Sequence, residues 1–133
     1  MSLDDELASV QKAVPECVAS GLVDMKTGML LGVKTVDSHP QEVLDLVAAA
    51  TGDLYQGSNV TAIENLFKKA RGVTTAEHYF QEMIILSDNL IHVFQRAKRN
   101  DDLVMVTVSR ASANMGMVLT KSRAGLPAVE AAS

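Results

Sequence analysis

The chain has 133 residues, 47% hydrophobic and 21% charged, with a net charge of −4, a length and composition that fit one domain spanning 1–133 with a sizeable core. Eight Gly and three Pro exclude collagen-like, low-complexity and wholly disordered chains. The acidic balance and an aromatic content of 4% without Trp argue against nucleic acid as a partner, which needs a basic face and stacking side chains.

Leu3, Leu7, Val10 and Val14 stand at helical spacing behind Asp4, Asp5 and Glu6, and Pro15 ends that helix. An acidic opening is unlike a basic secretory signal, and no later apolar run approaches the roughly 18 residues of a membrane span. The expectation is therefore a cytoplasmic protein without membrane insertion. Cys17, the single cysteine, forbids an intramolecular disulfide and any multi-cysteine zinc site.

Residues 17–24 and 29–35 are short apolar runs around Met25-Lys26-Thr27-Gly28, the pattern of a β-hairpin. Gly21 and Gly32 inside those strands suggest a bulge or a helix pressed against the backbone. Pro40 then opens a helical segment in which Val43, Leu46, Val47, Ala50 and Leu54 share one face. Val60, Ile63, Leu66, Phe67 and Ala70 fall on the opposite side. Either the helix breaks near Gly57-Ser58-Asn59, with Thr61-Ala62-Ile63-Glu64 as a capping box, or one long helix packs on two partners. Gly52 and Gly57 would each cost about 1 kcal/mol inside a helix, which favours the break. Arg71-Gly72 ends the segment.

Three strands follow, over 79–87, 90–96 and 103–109. In the first, Phe80, Ile84 and Leu86 share a face with Glu82, while Tyr79, Met83 and Ile85 share the other with Gln81. Both faces are largely apolar, which suits either a central strand or an edge strand hidden by a second copy. Asn114 caps a final short helix carrying Met115, Val118 and Leu119, and residues 125–133 read as a frayed tail beyond a core of about 3–124.

The strand Val18-Ala19-Ser20-Gly21-Leu22-Val23-Asp24, the Lys26-Thr27-Gly28 turn and Leu30-Leu31 resemble the opening hairpin of the roadblock/dynein light chain family, in its bacterial and archaeal form. Met83-Ile84-Ile85-Leu86, Val104-Met105-Val106-Thr107-Val108 and Asn114-Met115-Gly116-Met117-Val118 are similar to its later strands and its last helix start. The stretch from Gln41 to Gly72 is longer than the single central helix usual there. The resemblance implies an α+β, profilin-like domain of order α-β-β-α-β-β-β-α, with a five-stranded antiparallel sheet and helices on its faces. It further implies a homodimer joined at edge strands and a non-catalytic regulator or scaffold, one class of partner being Ras-like small GTPases. It favours the edge reading of the strand after Tyr79, so that Tyr79, Phe80, Glu82, Met83, Ile84 and Ile85, with Ile63 and Phe67, form the candidate homodimer interface.

Dedicated chemistry is scarce. His39, His78 and His92 include no i, i+4 pair of the kind that holds a metal on a helix, and no metal or other cofactor is expected. Cys17 beside His92 is the one nucleophile–base pairing worth weighing. No Gly-x-Ser-x-Gly elbow and no phosphate loop occur. Lys68, Lys69 and Arg71, and then Arg96, Lys98 and Arg99, are either solvated cations or a patch for an acidic partner protein. A competing function is a small-molecule sensor whose apolar pocket is lined by Met25, Met83, Met105 and Phe94.

Overall fold

The computed structural model describes residues 2–36, 41–72 and 78–133. Helix α1 runs Leu3–Ala13. Ser2 caps it: its Oγ accepts from the Asp5 N–H at 3.2 Å, and the Asp5 carboxylate accepts from the Ser2 N–H at 3.4 Å. Strands β1 (Cys17–Asp24) and β2 (Met29–Thr35) form the expected hairpin. Its turn is held by Asp24, which accepts from the Lys26 N–H and the Thr27 hydroxyl, and closes through Gly28 at φ 73°.

The central segment is two helices, α2 (Gln41–Gln56) and α3 (Ser58–Arg71), separated at Gly57. The break is where the glycine cost puts it, but the capping box at Thr61 does not form. Gly57 is the cap residue, Thr61 lies inside α3 with its N–H bonded to the Gly57 carbonyl, and the Glu64 carboxylate is engaged elsewhere. Gly72, at φ 67°, closes α3. Pro40 and His39 lie outside the described residues.

Strands β3 (Glu82–Leu86), β4 (Leu90–Arg96) and β5 (Leu103–Arg110) complete one sheet of order β2-β1-β5-β4-β3, antiparallel throughout. The expected strand from Tyr79 is shorter, because side chains take backbone groups of Tyr79 and Phe80, and the Gln81 carbonyl is shared between the Arg96 N–H at 2.7 Å and a side chain. The Tyr79 N–H donates to Glu64, the Phe80 carbonyl accepts from Arg96 Nε at 3.0 Å, and the Gln81 carbonyl accepts from the Tyr55 hydroxyl at 3.1 Å. Phe80 consequently packs with Met83 on the α2 side and not with Ile84 and Leu86.

Helix α4 spans Met115–Ala131, capped by Asn114, whose Oδ1 accepts from the Met117 N–H at 3.0 Å. The expected frayed tail is therefore mostly helix. Leu126 and Val129 are buried in the core, and that burial offsets the N–H missing at Pro127 inside the helix. On one sheet face α1 and α4 enclose a core that includes Leu7, Val10, Leu22, Met105 and Val118. On the other, α2 lays Ala48 and Tyr55 against Val23, Phe94, Val104 and Val106.

Gly32 sits under α1. A Cβ there would meet Leu7 Cδ1 at 3.0 Å and Leu3 Cδ2 at 3.1 Å, so the glycine is what lets the helix approach the strand.

Candidate interaction surface

The two free edges of the sheet differ. In β2 the register slips between Leu22 and Val23, leaving Leu31 as an extra residue opposite β1, and Lys34 points toward Asp4 of α1 at 3.9 Å. A bulge and a lysine are devices that discourage further strand pairing. Strand β3 has neither. It pairs with β4 in unbroken register from Glu82↔Gln95 to Leu86↔Ile91. Its outer residues are apolar and open to solvent, Ile84 at 41% and Leu86 at 62% exposure, with Ile85 also exposed. Its single charge is already committed: Glu82 accepts from Gln95 Nε2 at 2.9 Å and from Arg123 Nε at 3.0 Å. The Arg123 bonds, larger than the opposing cost of burial, hold the Glu82 carboxyl below the usual carboxylate range.

Next to this edge, α3 exposes Ile63, Leu66 and Phe67. Phe67 lies against Tyr79, ring centroids 6.0 Å apart, and the Arg71 guanidinium stands 5.9 Å from the Tyr79 ring centre. Glu64 fixes α3 to the approach of β3. It is 3% exposed, and its carboxylate takes the Tyr79 N–H and faces His78 Nδ1 at 3.4 Å. Burial works against its charge, but the Tyr79 and His78 interactions prevail and keep its pKa below the ordinary glutamate value. His78 is also 3.7 Å from Asp101, so both His78 nitrogens face carboxylates.

The residues expected at an interface fall in different settings. Ile84 and Ile85 lie on the open edge, Ile63 and Phe67 are exposed on α3, and Tyr79 joins α3 to the strand. Phe80 and Met83 point into the α2 core.

The expected basic patch loses Arg96, which is 2% exposed. Its guanidinium stacks 4.8 Å from the Tyr55 ring centre and donates to the carbonyls of Phe80 and Asp101, the latter at 2.9 Å. Lys69 and Arg71 are exposed at the end of α3, with Lys68 half-buried. Lys98 and Arg99 are exposed in the β4–β5 turn, where the Arg99 and Asn100 N–H groups bond Glu130 of α4 at 3.0 and 2.7 Å. The two groups of cations therefore belong to different supports.

The pairing of Cys17 with His92 fails. Cys17 shares the α1/α4 core, whereas His92 is paired with Val108 and faces the α2 side. Burial pushes the Cys17 thiol up and the His92 imidazole down, and His92 Nε2 meets Ser87 Oγ at 3.1 Å. Among the described residues no group of three His, Cys, Asp or Glu converges as a metal site, and no helix is long and apolar enough to cross a membrane.

A Met-lined pocket is also ruled out. Met105 lies in the α1/α4 core and Met25 in the α2 core, on opposite sides of the sheet. A cavity of about 940 Å³ does lie between α2 and the sheet, but of the four expected residues it takes only Phe94; the rest of its lining is a mixture of aliphatic residues, among them Val33, Val106 and Val108, and polar ones such as Thr51, His92 and Arg110. Sequence reasoning missed this space, which depends on how far α2 stands from the strands. It also missed the buried ring–guanidinium pair Tyr55–Arg96.

No protein-family model matches the chain, and no curated protein matches it by sequence. Its shape has clear counterparts among solved structures. The Roadblock/LC7 domain from Streptomyces avermitilis superposes with a TM-score of 0.69, 13% identity, and coverage of 98% of this chain and 96% of that one. The chain has the roadblock fold. The same roadblock architecture is shared with MglB in a tetrameric arrangement, at TM-score 0.67 and 21% identity over 94% of this chain and 82% of that one. The gliding protein MglB from Thermus thermophilus gives 0.66 and 20% identity over 94% and 83%.

Proposed function

We propose that this roadblock-fold chain is a non-catalytic regulatory or scaffolding protein that works as a homodimer, two copies pairing antiparallel through β3 about a two-fold axis. The observation that carries this reading is the asymmetry of the sheet edges. The β2 edge is bulged and carries Lys34, while β3 is regular, apolar on both faces and open. An unpaired edge of that composition is an aggregation site unless a second strand covers it. Pairing would satisfy the free backbone groups of Glu82–Leu86 and bring the exposed Ile63, Leu66 and Phe67 of α3 beside the partner.

The family resemblance supplies the class of target, a Ras-like small GTPase. Lys68, Lys69 and Arg71 form a cationic group at the end of α3 for an acidic face of such a partner.

Sedimentation at micromolar concentration tests the dimer. The parent should run at twice 14.2 kDa, Ile84→Lys should raise the dissociation constant at least tenfold by burying an unpaired charge at the join, and Ala13→Lys, on exposed α1 surface, should leave it unchanged. A folded parent near 14.2 kDa would refute the reading. For the target, affinity capture from the native cell should enrich a small GTPase, and Lys69→Glu with Arg71→Glu should abolish that enrichment. Enrichment that survives the double substitution would remove this patch from the contact.

A further inference from the structure

Helix α2 is fastened to the sheet at its C-terminal end. The Tyr55 hydroxyl donates to the Phe94 carbonyl at 2.8 Å and Gln56 Nε2 to the Met25 carbonyl at 3.0 Å. Upstream of those bonds a slot of about 940 Å³ opens between helix and strands, near the upper end of small-molecule sites. Val47, Ala50 and Leu54 form the helix wall, and Ala19, Gly21 and Val108 the sheet floor. The space exists because the floor is small: Ala19 and Gly21 sit side by side with Val108 and Val106 across the β1–β5 register, and no long side chain rises from them.

One rim is polar. Arg110, the last residue of β5, lies there with His92, Asp88 and Ser112. Among the described residues Arg110 forms no ion pair, although Asp88 shares the rim. His92 is already bonded to Ser87, and burial favours its neutral form.

We propose that this slot binds one amphipathic carboxylate, an unbranched acyl chain lying between α2 and the Ala19–Gly21 floor with its carboxylate on Arg110. An uncommitted guanidinium at the wet end of an apolar slot matches an anion on an apolar body, and its planar fork takes a carboxylate in two parallel hydrogen bonds. An extended peptide fits worse, since most of its backbone groups would meet aliphatic side chains such as Val33, Val47, Leu54 and Val106 and lose their hydrogen bonds. The inference goes beyond the dimer reading and does not depend on it.

Dodecanoate below its micelle concentration is the probe, followed by calorimetry and by amide NMR of the full chain. Saturable binding of one molecule per chain is expected, with shifts centred on Ala19, Ala50 and Val108. Arg110→Gln, an exposed position, should weaken dodecanoate at least tenfold and leave dodecanol unaffected. Ala50→Phe, at a solvent-accessible position on the slot's helix wall, should abolish both while the circular dichroism stays that of the parent. No saturable binding by dodecanoate, or equal affinity for the parent and Arg110→Gln, would overturn the proposal. Binding that appears only on dilution to monomers would assign the slot to a second copy of the chain and overturn it equally.

Discussion

Replacing Arg96 with Met tests whether that cation is part of the scaffold or part of a binding face. The side chain donates to the Phe80 and Asp101 carbonyls and stacks on Tyr55, and among the described residues it has no carboxylate within ion-pair distance. Each hydrogen bond from a charged group contributes about 1.5–3 kcal/mol, and the ring contact adds about 1 kcal/mol. Against this, Nη2 is buried without a partner, a penalty of about 1–3 kcal/mol that the variant would relieve. Methionine also refills much of the volume. The net loss is about 3 kcal/mol, equivalent to roughly 10 °C in Tm for a domain of this size. Urea unfolding followed by far-UV circular dichroism reads it directly. The effect should be independent of salt, because the site is buried. A variant within about 0.5 kcal/mol of the parent, the scatter of ordinary surface changes, would refute the scaffold role.

Glu64→Gln should cost about 1–2 kcal/mol at neutral pH through the lost charge on the Tyr79 and His78 bonds. Because the folded-state pKa of Glu64 is depressed below its ordinary value, that contribution is complete above the ordinary value and disappears as the pH falls through the folded pKa. Parent and variant stabilities should therefore converge in acid; a difference that stays constant from neutral pH down to about pH 3 would exclude the linkage. Gly125→Ala should destabilise by about 1–2 kcal/mol despite the roughly 1 kcal/mol gain in helix propensity. Its Cβ would lie 2.6 Å from Val10 Cγ2 where α4 crosses α1. Val10→Ala combined with it should recover part of that loss in a double-mutant cycle.

The elements that the sequence disclosed best are those set by local pattern. The hairpin follows from two apolar runs and a Gly turn, and the division of the central segment follows from Gly57. Gly32 reads as a place of close approach, and it is one. What local pattern hides is the destination of a polar group. Thr61 to Glu64 has the spacing of a cap, yet Glu64 bonds a residue 15 positions away. Arg96 stands at the head of a cationic run, but pleat alternation turns it into the α2 core while Lys98 and Arg99 stay in the turn. The strand beginning at Tyr79 reads too long for the same reason, since its first backbone groups are claimed by side chains distant in sequence. Terminal position conceals the end of α4, because the last residues of a chain read as a fraying tail while burial of Leu126 and Val129 holds the helix in place. The separation of α2 from the sheet has no local signature at all. It emerges from long-range bonds of Tyr55 and Gln56 together with the small residues Ala19 and Gly21.

The slipped register at Leu31 bears on how large an assembly can become. A flat sheet with two equivalent open edges is a monomer for a fibre, because each addition leaves a new edge identical to the one consumed. Here the edges are unlike: β3 presents a straight ladder, and β2 presents a twist and a displaced residue. Joining two copies at β3 would leave a particle whose outermost strands are both β2. Growth in the hydrogen-bonding direction would then end after a single step, and the chain would reach a fixed stoichiometry without any separate terminator. Straightening β2 by deleting Leu31 should convert that limited assembly into one that lengthens with concentration.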